Sequence, residues 1–262
     1  MHSLHSLIKH VVITGASGAV GEAVVAALQE QYELTLMDIK PHPSLPTKLI
    51  DIANWDEFYA HLPAADAIVH LAAIPQEDSP DKILKNNIQA TLNVFEGARM
   101  RGIQRVVFAS SVMTYWGYYE QGKPSQPFHP QVHTWPTTHY AVSKLYGEHL
   151  GQVYAQNFGL AVICIRLGWY PRIPTTQEHL EYSKFILISV EDCKRLFQAC
   201  LAAEKVNYGI INGFSRGGKD YCDLNLGQDL LGFYPSDDLE EAIRQHQERL
   251  GLPIISLKLP QV

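Results

Sequence analysis

The sequence predicts an α/β protein with a doubly wound parallel sheet. Two observations lead to this prediction. Short apolar, β-branched segments alternate with segments whose apolar residues recur at helical spacing, and a glycine cluster separates the first strand from the first helix. Strands joined through helices return to the same side of the sheet by a right-handed crossover. The alternation therefore implies that the strands run parallel.

The first half of the chain is expected to alternate four strands with three helices. In order, these are a strand over residues 9–14, a helix over 21–31, a strand over 34–38, a helix over 55–62, a strand over 66–72, a helix over 81–102 and a strand over 104–111. Gly102 is expected to close the long helix, because glycine tolerates the left-handed conformation found at helix ends. The fourth strand ends in two serines, at a position where function tends to lie.

The second half is less regular. Residues 112–138 are rich in Tyr, Trp, Pro, His and Gly without periodicity, so a long loop that forms one wall of a pocket is expected there. The elements expected after it are a helix over 139–159, a strand over 160–168, an irregular stretch over 169–188, a helix at about 190–204, a strand over 208–212 and two short helices after Asp223.

No repeat or linker divides the 262 residues, so a single domain over 1–262 is expected. The expected nucleotide-binding core spans approximately residues 8–165. A small C-terminal substrate-binding region is expected from approximately 166–188 and 207–262.

Composition limits the expected partners to small molecules. The hydrophobic share of 46% suffices for a sizeable core, and a net charge of -6 without a basic run argues against nucleic-acid or membrane binding. The sequence shows neither a bilayer-spanning apolar stretch nor a secretory signal, so a cytoplasmic location is expected. The four cysteines have no Cys-x-x-Cys spacing, so buried reduced thiols are expected and no metal site.

A glycine cluster at the end of the first strand predicts a dinucleotide site. Glycines at this point allow a tight turn, close backbone approach to a pyrophosphate, and close packing of helix on strand. The spacing is Gly-x-x-Gly-x-x-Gly, and the residues expected at the cofactor are Gly15, Ser17, Gly18, Ala19, Val20 and Gly21.

Asp38 closes the second strand and is expected to select the cofactor. Its carboxylate can accept hydrogen bonds from the adenosine ribose and repel a 2′-phosphate, which favours NAD over NADP. Ile39 is expected to lie beside the same nucleoside. Lys40 offers the opposite possibility, because its ammonium could attract that phosphate.

Tyr140 and Lys144 form the expected catalytic pair. They are four residues apart on a helix and therefore share a face. A tyrosine ordinarily loses its proton near pH 10, but an adjacent ammonium favours the phenolate and makes it a better base. Ser111 is expected to donate a hydrogen bond to the reacting oxygen, with Ser110 as the alternative.

Five motifs in order resemble the extended short-chain dehydrogenase/reductase superfamily, which includes the NAD-dependent epimerase/dehydratase family. They are TGASGAVG at 14–21, HLAA at 70–73, NNIQATLN at 86–93, VFASS at 107–111 and YAVSK at 140–144, and the resemblance covers roughly residues 9–170. It implies further cofactor contacts, namely Asp51 and Ile52 at the adenine, Leu71, Ala72 and Ala73 along the cofactor, and Asn87 near the ribose or supporting the active site. It also implies a homo-oligomer paired through the helix of Tyr140.

A narrower resemblance points to the compact uronate dehydrogenase-like branch. It rests on the chain length, on the segment SVEDCKRLFQACL at 189–201, and on the tail from Tyr208. Such enzymes oxidise C1 of a cyclic sugar to a lactone and pass hydride to NAD. The substrate residues implied by the resemblance are Pro75, Ser111, Val112, Met113, Tyr140 and Trp169.

This sequence departs from that branch at the substrate. Val112 and Met113 replace Asn-His, Pro75 replaces a pocket serine, and the position of a carboxylate-binding arginine corresponds to Tyr182. Arg172 or Lys184 are the alternative anion partners. The substituted surface is more apolar, so a sugar and a more apolar alcohol both remain candidate substrates.

Three functions are consistent with these features. The first is an NAD-dependent dehydrogenase acting on a secondary alcohol or hemiacetal. The second is an epimerase or dehydratase, in which NAD is reduced only transiently. The third is a non-catalytic NAD-binding regulator, because a fold does not fix a function. The aromatic residues between 115 and 119 either stack on a sugar or pack within their loop.

Overall fold

A seven-stranded parallel sheet forms the centre of the computed structural model, which describes residues 8–121, 127–170, 187–220 and 222–238 together with Arg244 and Glu248. The strands are β1 His10–Thr14, β2 Glu33–Asp38, β3 Thr47–Leu49, β4 Ala67–His70, β5 Arg105–Ser111, β6 Ala161–Leu167 and β7 Tyr208–Gly213. Their spatial order is β3-β2-β1-β4-β5-β6-β7. Every neighbouring pair is parallel, which confirms the expected fold class.

Helices cover both faces of this sheet. They are α1 Ala19–Leu28, α2 Trp55–His61, α3 Pro80–Ile83, α4 Ala90–Arg101, α5 Trp116–Tyr119, α6 His139–Phe158, α7 Val190–Ala202 and α8 Asn225–Leu231. Side chains alternate across a strand, so β1 sends Val11 and Ile13 into the core beneath α1 and α7. Val12 enters the second core, beneath α2, α4 and α6.

The helix ends follow the local sequence. Thr138 caps α6, and its hydroxyl accepts the backbone N–H of Ala141 at 3.1 Å. At the other end, Gly159 has φ +70° and closes the helix in the left-handed conformation. Gly102 ends α4 in the same way, as expected from the sequence.

Several local expectations are corrected. The helix expected over 81–102 is interrupted by a π-helical segment, Leu84–Gln89, between α3 and α4. The expected loop over 112–138 contains a 3-10 turn, Val112–Tyr115, followed by α5, because its aromatic side chains pack on one another. Strand β3 was not expected. Of the two short helices expected after Asp223, α8 is present and the other falls largely outside the described residues.

The strand order creates a crevice at the carboxyl ends of β1 and β4. The chain leaves β1 towards one side of the sheet and leaves β4 towards the other, so the connections diverge there. Open α/β sheets bind ligands at such a point. The four cysteines lie elsewhere and are buried and free, as expected.

Candidate active site

The glycine turn lies in this crevice, and two of its glycines are packed too tightly for any other residue. Gly15 has φ +73°, and a Cβ added to it would come within 2.5 Å of the Ala72 nitrogen. A Cβ on Gly21 would come within 2.3 Å of the Gly15 carbonyl oxygen. Helix α1 therefore begins at the crevice, and at its N-cap, Gly18, no side chain forms a capping hydrogen bond. This arrangement fits a pyrophosphate held by backbone N–H groups.

Asp38 is fixed beside the turn. Its Oδ2 accepts the backbone N–H of Ser17 at 2.9 Å, and its Oδ1 accepts that of Lys40 at 3.1 Å. The hydroxyl of Ser17 donates to the Lys40 carbonyl at 2.8 Å. These bonds hold the carboxylate at the end of β2, where the sequence predicts the adenosine ribose. The Lys40 backbone thus supports the carboxylate that is expected to disfavour a 2′-phosphate.

A cleft of about 80 Å³ continues from Asp38 along the sheet edge. Ile39 stands at its side with 71% of its surface exposed, an unusual degree for an isoleucine and one that a flat aromatic base would reduce. The cleft is lined by Met37, Asp38, Ile39, Ile50, Asp51, Ile52, Ala72, Asn86 and Ala90. The expected adenine residues are therefore brought together in one place.

An ion pair borders this cleft. The Asp51 Oδ2 lies 2.8 Å from the Lys85 ammonium. Burial opposes ionisation of Asp51, but hydrogen bonds from Lys85 and from the Ala53 backbone outweigh it and lower the pKa of the carboxyl. Asp51 consequently carries a negative charge beside the apolar cleft at neutral pH.

Tyr140 and Lys144 lie beside the end of the strand that carries Ser111. Ser111 ends β5, and the other two lie in the first turns of α6; their exposed fractions are 6%, 8% and 5%. The Lys144 ammonium donates to the Ala109 carbonyl at 2.8 Å and lies 5.6 Å from the centre of the Tyr140 ring. Burial lowers the pKa of Lys144 to about 8. An ammonium this close to a phenol electrostatically favours the phenolate.

Asn87 joins the cofactor side of the crevice to the catalytic helix. Its Oδ1 accepts the Ile74 N–H at 2.8 Å, and its Nδ2 donates to the Ile74 carbonyl and to the Ser143 hydroxyl. Ser143 in turn donates to the Tyr140 carbonyl at 2.7 Å. The resemblance implies that Asn87 either lies near the ribose or supports the active site, and these bonds are consistent with the second role. Asn87 lies within the π-helical segment, a feature frequent at functional sites.

Glu77 is a site residue that sequence reasoning missed. Its Oε2 accepts the backbone N–H of Tyr140 at 2.9 Å and its Oε1 contacts the His139 ring at 2.6 Å. The bond from Tyr140 is the main reason that the pKa of Glu77 is lowered. The carboxylate thus caps the catalytic helix from a distant segment, so nothing in the sequence near Tyr140 reveals it.

His70 stands at the carboxyl end of β4 and remains neutral. Burial, followed by the charge of Lys144, lowers its pKa to about 3. Its ring bonds the hydroxyls of Thr14 at 2.8 Å and Thr91 at 3.1 Å. The ring therefore ties β4 to β1 and α4 without adding a second charge near Lys144.

The expected substrate residues differ in exposure. Pro75 is exposed, whereas Met113 and Trp169 are half-buried, and Trp169 stacks on Trp116 with ring centres 5.7 Å apart. Val112 is different, because its side chain is completely buried in the aromatic cluster and offers no surface to a substrate, contrary to expectation. The positions Arg172, Tyr182 and Lys184 lie outside the described residues.

The aromatic residues between 115 and 119 differ in how far they are buried. Tyr115 is fully buried against Phe128, with ring centres 5.4 Å apart, so it packs within the loop. Trp116 keeps part of its surface exposed. Within the described ranges, no group of three metal-ligating side chains could hold a metal ion, and no helix is long and apolar enough to cross a membrane.

The fold and the glycine turn at its crevice define the class as a Rossmann-type nucleotide-binding fold. Comparison with known families makes this more specific. The NAD dependent epimerase/dehydratase family matches residues 11–170, and the chain belongs to that family. Its cofactor is accordingly NAD, and the residues of the crevice fit that molecule.

Individual relatives place the chain in the uronate dehydrogenase-like branch. It is 28% identical to an NAD-dependent glucose-6-phosphate dehydrogenase of Haloferax volcanii, over 88% of this chain and 94% of that protein. It is 32% identical to a uronate dehydrogenase of Agrobacterium fabrum, over 91% and 88% of the two chains. A mutant uronate dehydrogenase of Agrobacterium tumefaciens in complex with NAD superposes with a TM-score of 0.78 at 27% identity, over 97% of this chain and 92% of that one.

Proposed function

We propose that this protein is an NAD-dependent dehydrogenase that oxidises a hydroxyl or hemiacetal of a small sugar-like substrate. The observation that carries the proposal is the nearly buried Tyr140–Lys144 pair, whose lysine bonds Ala109 two residues before Ser111, at the sheet edge that also holds the glycine turn. Relatives named as uronate and glucose-6-phosphate dehydrogenases support a sugar as the substrate.

Three side chains have separate roles in the proposed oxidation. Ser111 donates a hydrogen bond to the substrate oxygen, and Tyr140 as phenolate accepts the hydroxyl proton. Lys144 stabilises the phenolate through its positive charge. Bound NAD supplies the hydride acceptor at the carbinol carbon. The C–H and O–H bonds break and a carbonyl forms, which is a lactone when the substrate is a hemiacetal.

The cofactor is proposed to lie along the crevice. The turn Gly15–Gly21, including Ser17, Ala19 and Val20, would hold the pyrophosphate. The cleft from Asp38 to Ile52 would take the adenosine, and Leu71, Ala72 and Ala73 would line the path to the nicotinamide. Tyr140 and Lys144 would contact its ribose.

The substrate is proposed to enter from the side of the aromatic loop. Pro75, Met113 and Trp169 are the described residues with surface available there. This assignment makes the end of β6 and the chain after β7 the substrate-binding region, beside a nucleotide-binding core of approximately 8–165. The half-buried stack of Trp116 and Trp169 favours a sugar ring with at least one apolar face.

The test is NADH formation at 340 nm with the purified protein, NAD and a panel of uronates, aldoses, sugar phosphates and secondary alcohols. We expect a substrate-dependent signal, and we expect Tyr140→Phe to lower kcat by roughly 10²- to 10⁴-fold, the usual contribution of general acid–base catalysis. NAD affinity, measured by fluorescence titration, should remain within a few-fold. His149→Gln, an exposed position further along the same helix, is the control.

Absence of turnover with every substrate, despite NAD binding, would contradict the dehydrogenase proposal. Retention of NAD through purification, with sugar conversion but no net NADH, would favour the epimerase or dehydratase alternative. Turnover that survives in Tyr140→Phe would contradict the assigned base.

We further propose that the protein self-associates through α4 and α6. Large apolar side chains on these helices are about half exposed, namely Met100, Val142, Val153 and Phe158. Pairing two copies would cover them. Light scattering coupled to gel filtration tests this, and a monomer at micromolar concentration would contradict it.

A further inference from the structure

A buried polar network lies behind the catalytic side chains. The Ser110 hydroxyl on β5 donates to Glu148 Oε1 on α6 at 2.6 Å. Arg166 on β6 binds the same carboxylate with two bonds, from Nε at 2.8 Å and from Nη2 at 2.7 Å. All three side chains are buried. Buried ion pairs pay a large desolvation cost, so net stability alone does not explain this one.

The network fixes the position of α6 along β5. Lys144 and Glu148 are one turn apart on the helix, whereas their partners, Ala109 and Ser110, are adjacent on the strand. The next residue of that strand is Ser111. Two bonds therefore hold the helix that carries Tyr140 and Lys144 in a defined register against the strand end that carries the serine.

The network also reaches the substrate side. Arg166 Nη1 donates to the Tyr115 hydroxyl and to the Pro130 carbonyl, the latter at 3.0 Å. Tyr115 belongs to the turn that directly follows Ser111, and its hydroxyl donates to Asn212 on β7 at 3.4 Å. The aromatic loop is thereby tied to the same carboxylate as the catalytic helix.

We infer that Ser110 and the Glu148–Arg166 pair are positioning residues, which hold Tyr140 and Lys144 in register with Ser111. The inference rests on the proposed dehydrogenase function. It also separates the two serines, because the Ser110 hydroxyl is committed to Glu148 and acts on the reaction only through the helix.

The test compares Ser110→Ala with Tyr154→Phe, which removes a hydroxyl from the carboxyl-terminal part of α6, away from Tyr140. Both residues are buried, and both hydroxyls donate to a carboxylate, Ser110 at 2.6 Å and Tyr154 to Glu96 at 2.8 Å. They should therefore cost similar thermal stability. Only Ser110→Ala should lower kcat, by about tenfold or more, because small displacements of reacting groups are costly. The KM for NAD should stay within twofold, and Ser110→Thr, which keeps the hydroxyl, should recover most of the loss.

A pH profile gives a second readout. Loosening α6 from β5 admits water to Lys144, so its pKa rises towards that of an ordinary lysine and the alkaline limb of kcat/KM moves to higher pH. The described titratable groups near Lys144 include Tyr140 and Glu148 on α6 and His70 on β4, which is neutral. Neither Ser110→Ala nor Tyr154→Phe alters these groups.

Hydrogen–deuterium exchange tests the register without turnover. Amides of residues 144–148 should exchange faster in Ser110→Ala than in Tyr154→Phe or the unmodified protein. If no substrate is turned over, the proposed function fails while this comparison still tests the network. Equal exchange in both variants would contradict the inference. Where turnover exists, equal kcat and identical pH profiles would also contradict it and would show that the network contributes to folding alone.

Discussion

The ammonium of Lys144 has few of the contacts that keep a lysine protonated. It is buried, it donates to a neutral carbonyl, and no carboxylate in the described part of the chain forms an ion pair with it. Burial disfavours its charged form, and the lowered pKa of about 8 means that the charge is lost within the working range of many enzymes.

We therefore predict an alkaline limb near pH 8 in the kcat/KM profile, because the neutral amine no longer stabilises the Tyr140 phenolate. In Lys144→Arg the limb near pH 8 should disappear, although kcat falls, since a guanidinium stays charged. Initial rates from pH 6 to 10 check this. The same limb in the arginine variant would contradict the assignment.

The same shift affects stability. The folded pKa lies below the unfolded value of 10.5, so between about pH 8 and 10.5 the unfolded chain binds the additional proton. The contribution of Lys144 to stability should therefore become more favourable as pH rises through that window. Urea titrations of the unmodified protein and Lys144→Met at pH 7.5 and 10 check the sign, and a difference that is constant with pH would contradict it.

Residues with local roles were predictable from the sequence. Gly15 and Asp38 are recognisable because a turn and a strand end dictate their types. Tyr140 and Lys144 are recognisable by helical spacing. Glu77 and Asn87 act on partners 63 and 56 residues away, at Tyr140 and Ser143, and no local pattern records such pairings.

Among the elements, α6 packs tightly against the sheet at two glycines that follow the Tyr140–Lys144 pair. A Cβ on Gly147 would fall 2.3 Å from the Phe108 ring, and one on Gly151 would fall 2.8 Å from Val162. Small residues at these two positions, one turn apart, allow α6 to lie against β5 and β6.

Gly147→Ala should destabilise the protein by about 1–3 kcal/mol through overpacking, although alanine has the higher helix propensity. The displaced helix should also lower kcat. Chemical denaturation and kinetics measure the two effects. Gln156→Ala, exposed on the same helix, is the control, and equal stabilities of the two variants would show that α6 tolerates the added methyl group.

The elements that sequence reasoning missed are short or depend on distant contacts. Strand β3 has only three residues, one of them Lys48, and lies at the sheet edge. The helical turns after Ser111 form because Tyr115 and its neighbours pack on Phe128. Glu148 and Arg166 resemble ordinary surface charges in the sequence, and only the juxtaposition of α6 and β6 shows that they pair.

At the scale of the whole molecule, Asp192 joins three parts of the chain. This fully buried carboxylate accepts the Ser215 hydroxyl at 2.6 Å, the Ser236 N–H at 2.9 Å and an Arg195 N–H at 2.6 Å. It therefore holds the segment after α8 against the start of α7 and the end of β7.

Asp192→Asn should lower the free energy of unfolding by about 1–3 kcal/mol, because an amide cannot accept all of these hydrogen bonds and its own N–H₂ is left without an acceptor. Urea unfolding measures the change. Asp229→Asn, exposed on α8, should leave the midpoint in place. Coincident unfolding curves for the two variants would show that the tail is not anchored through Asp192.

The strand order has a consequence for how the protein is made. The strands beside the proposed adenosine cleft, β1 to β4, are contiguous and lie within the first 70 residues, whereas the proposed catalytic serine, tyrosine and lysine come later, and β6 with Arg166 later still. A nascent chain emerges amino end first. During synthesis, the strands of the proposed adenosine cleft are therefore made before any of the three proposed catalytic side chains.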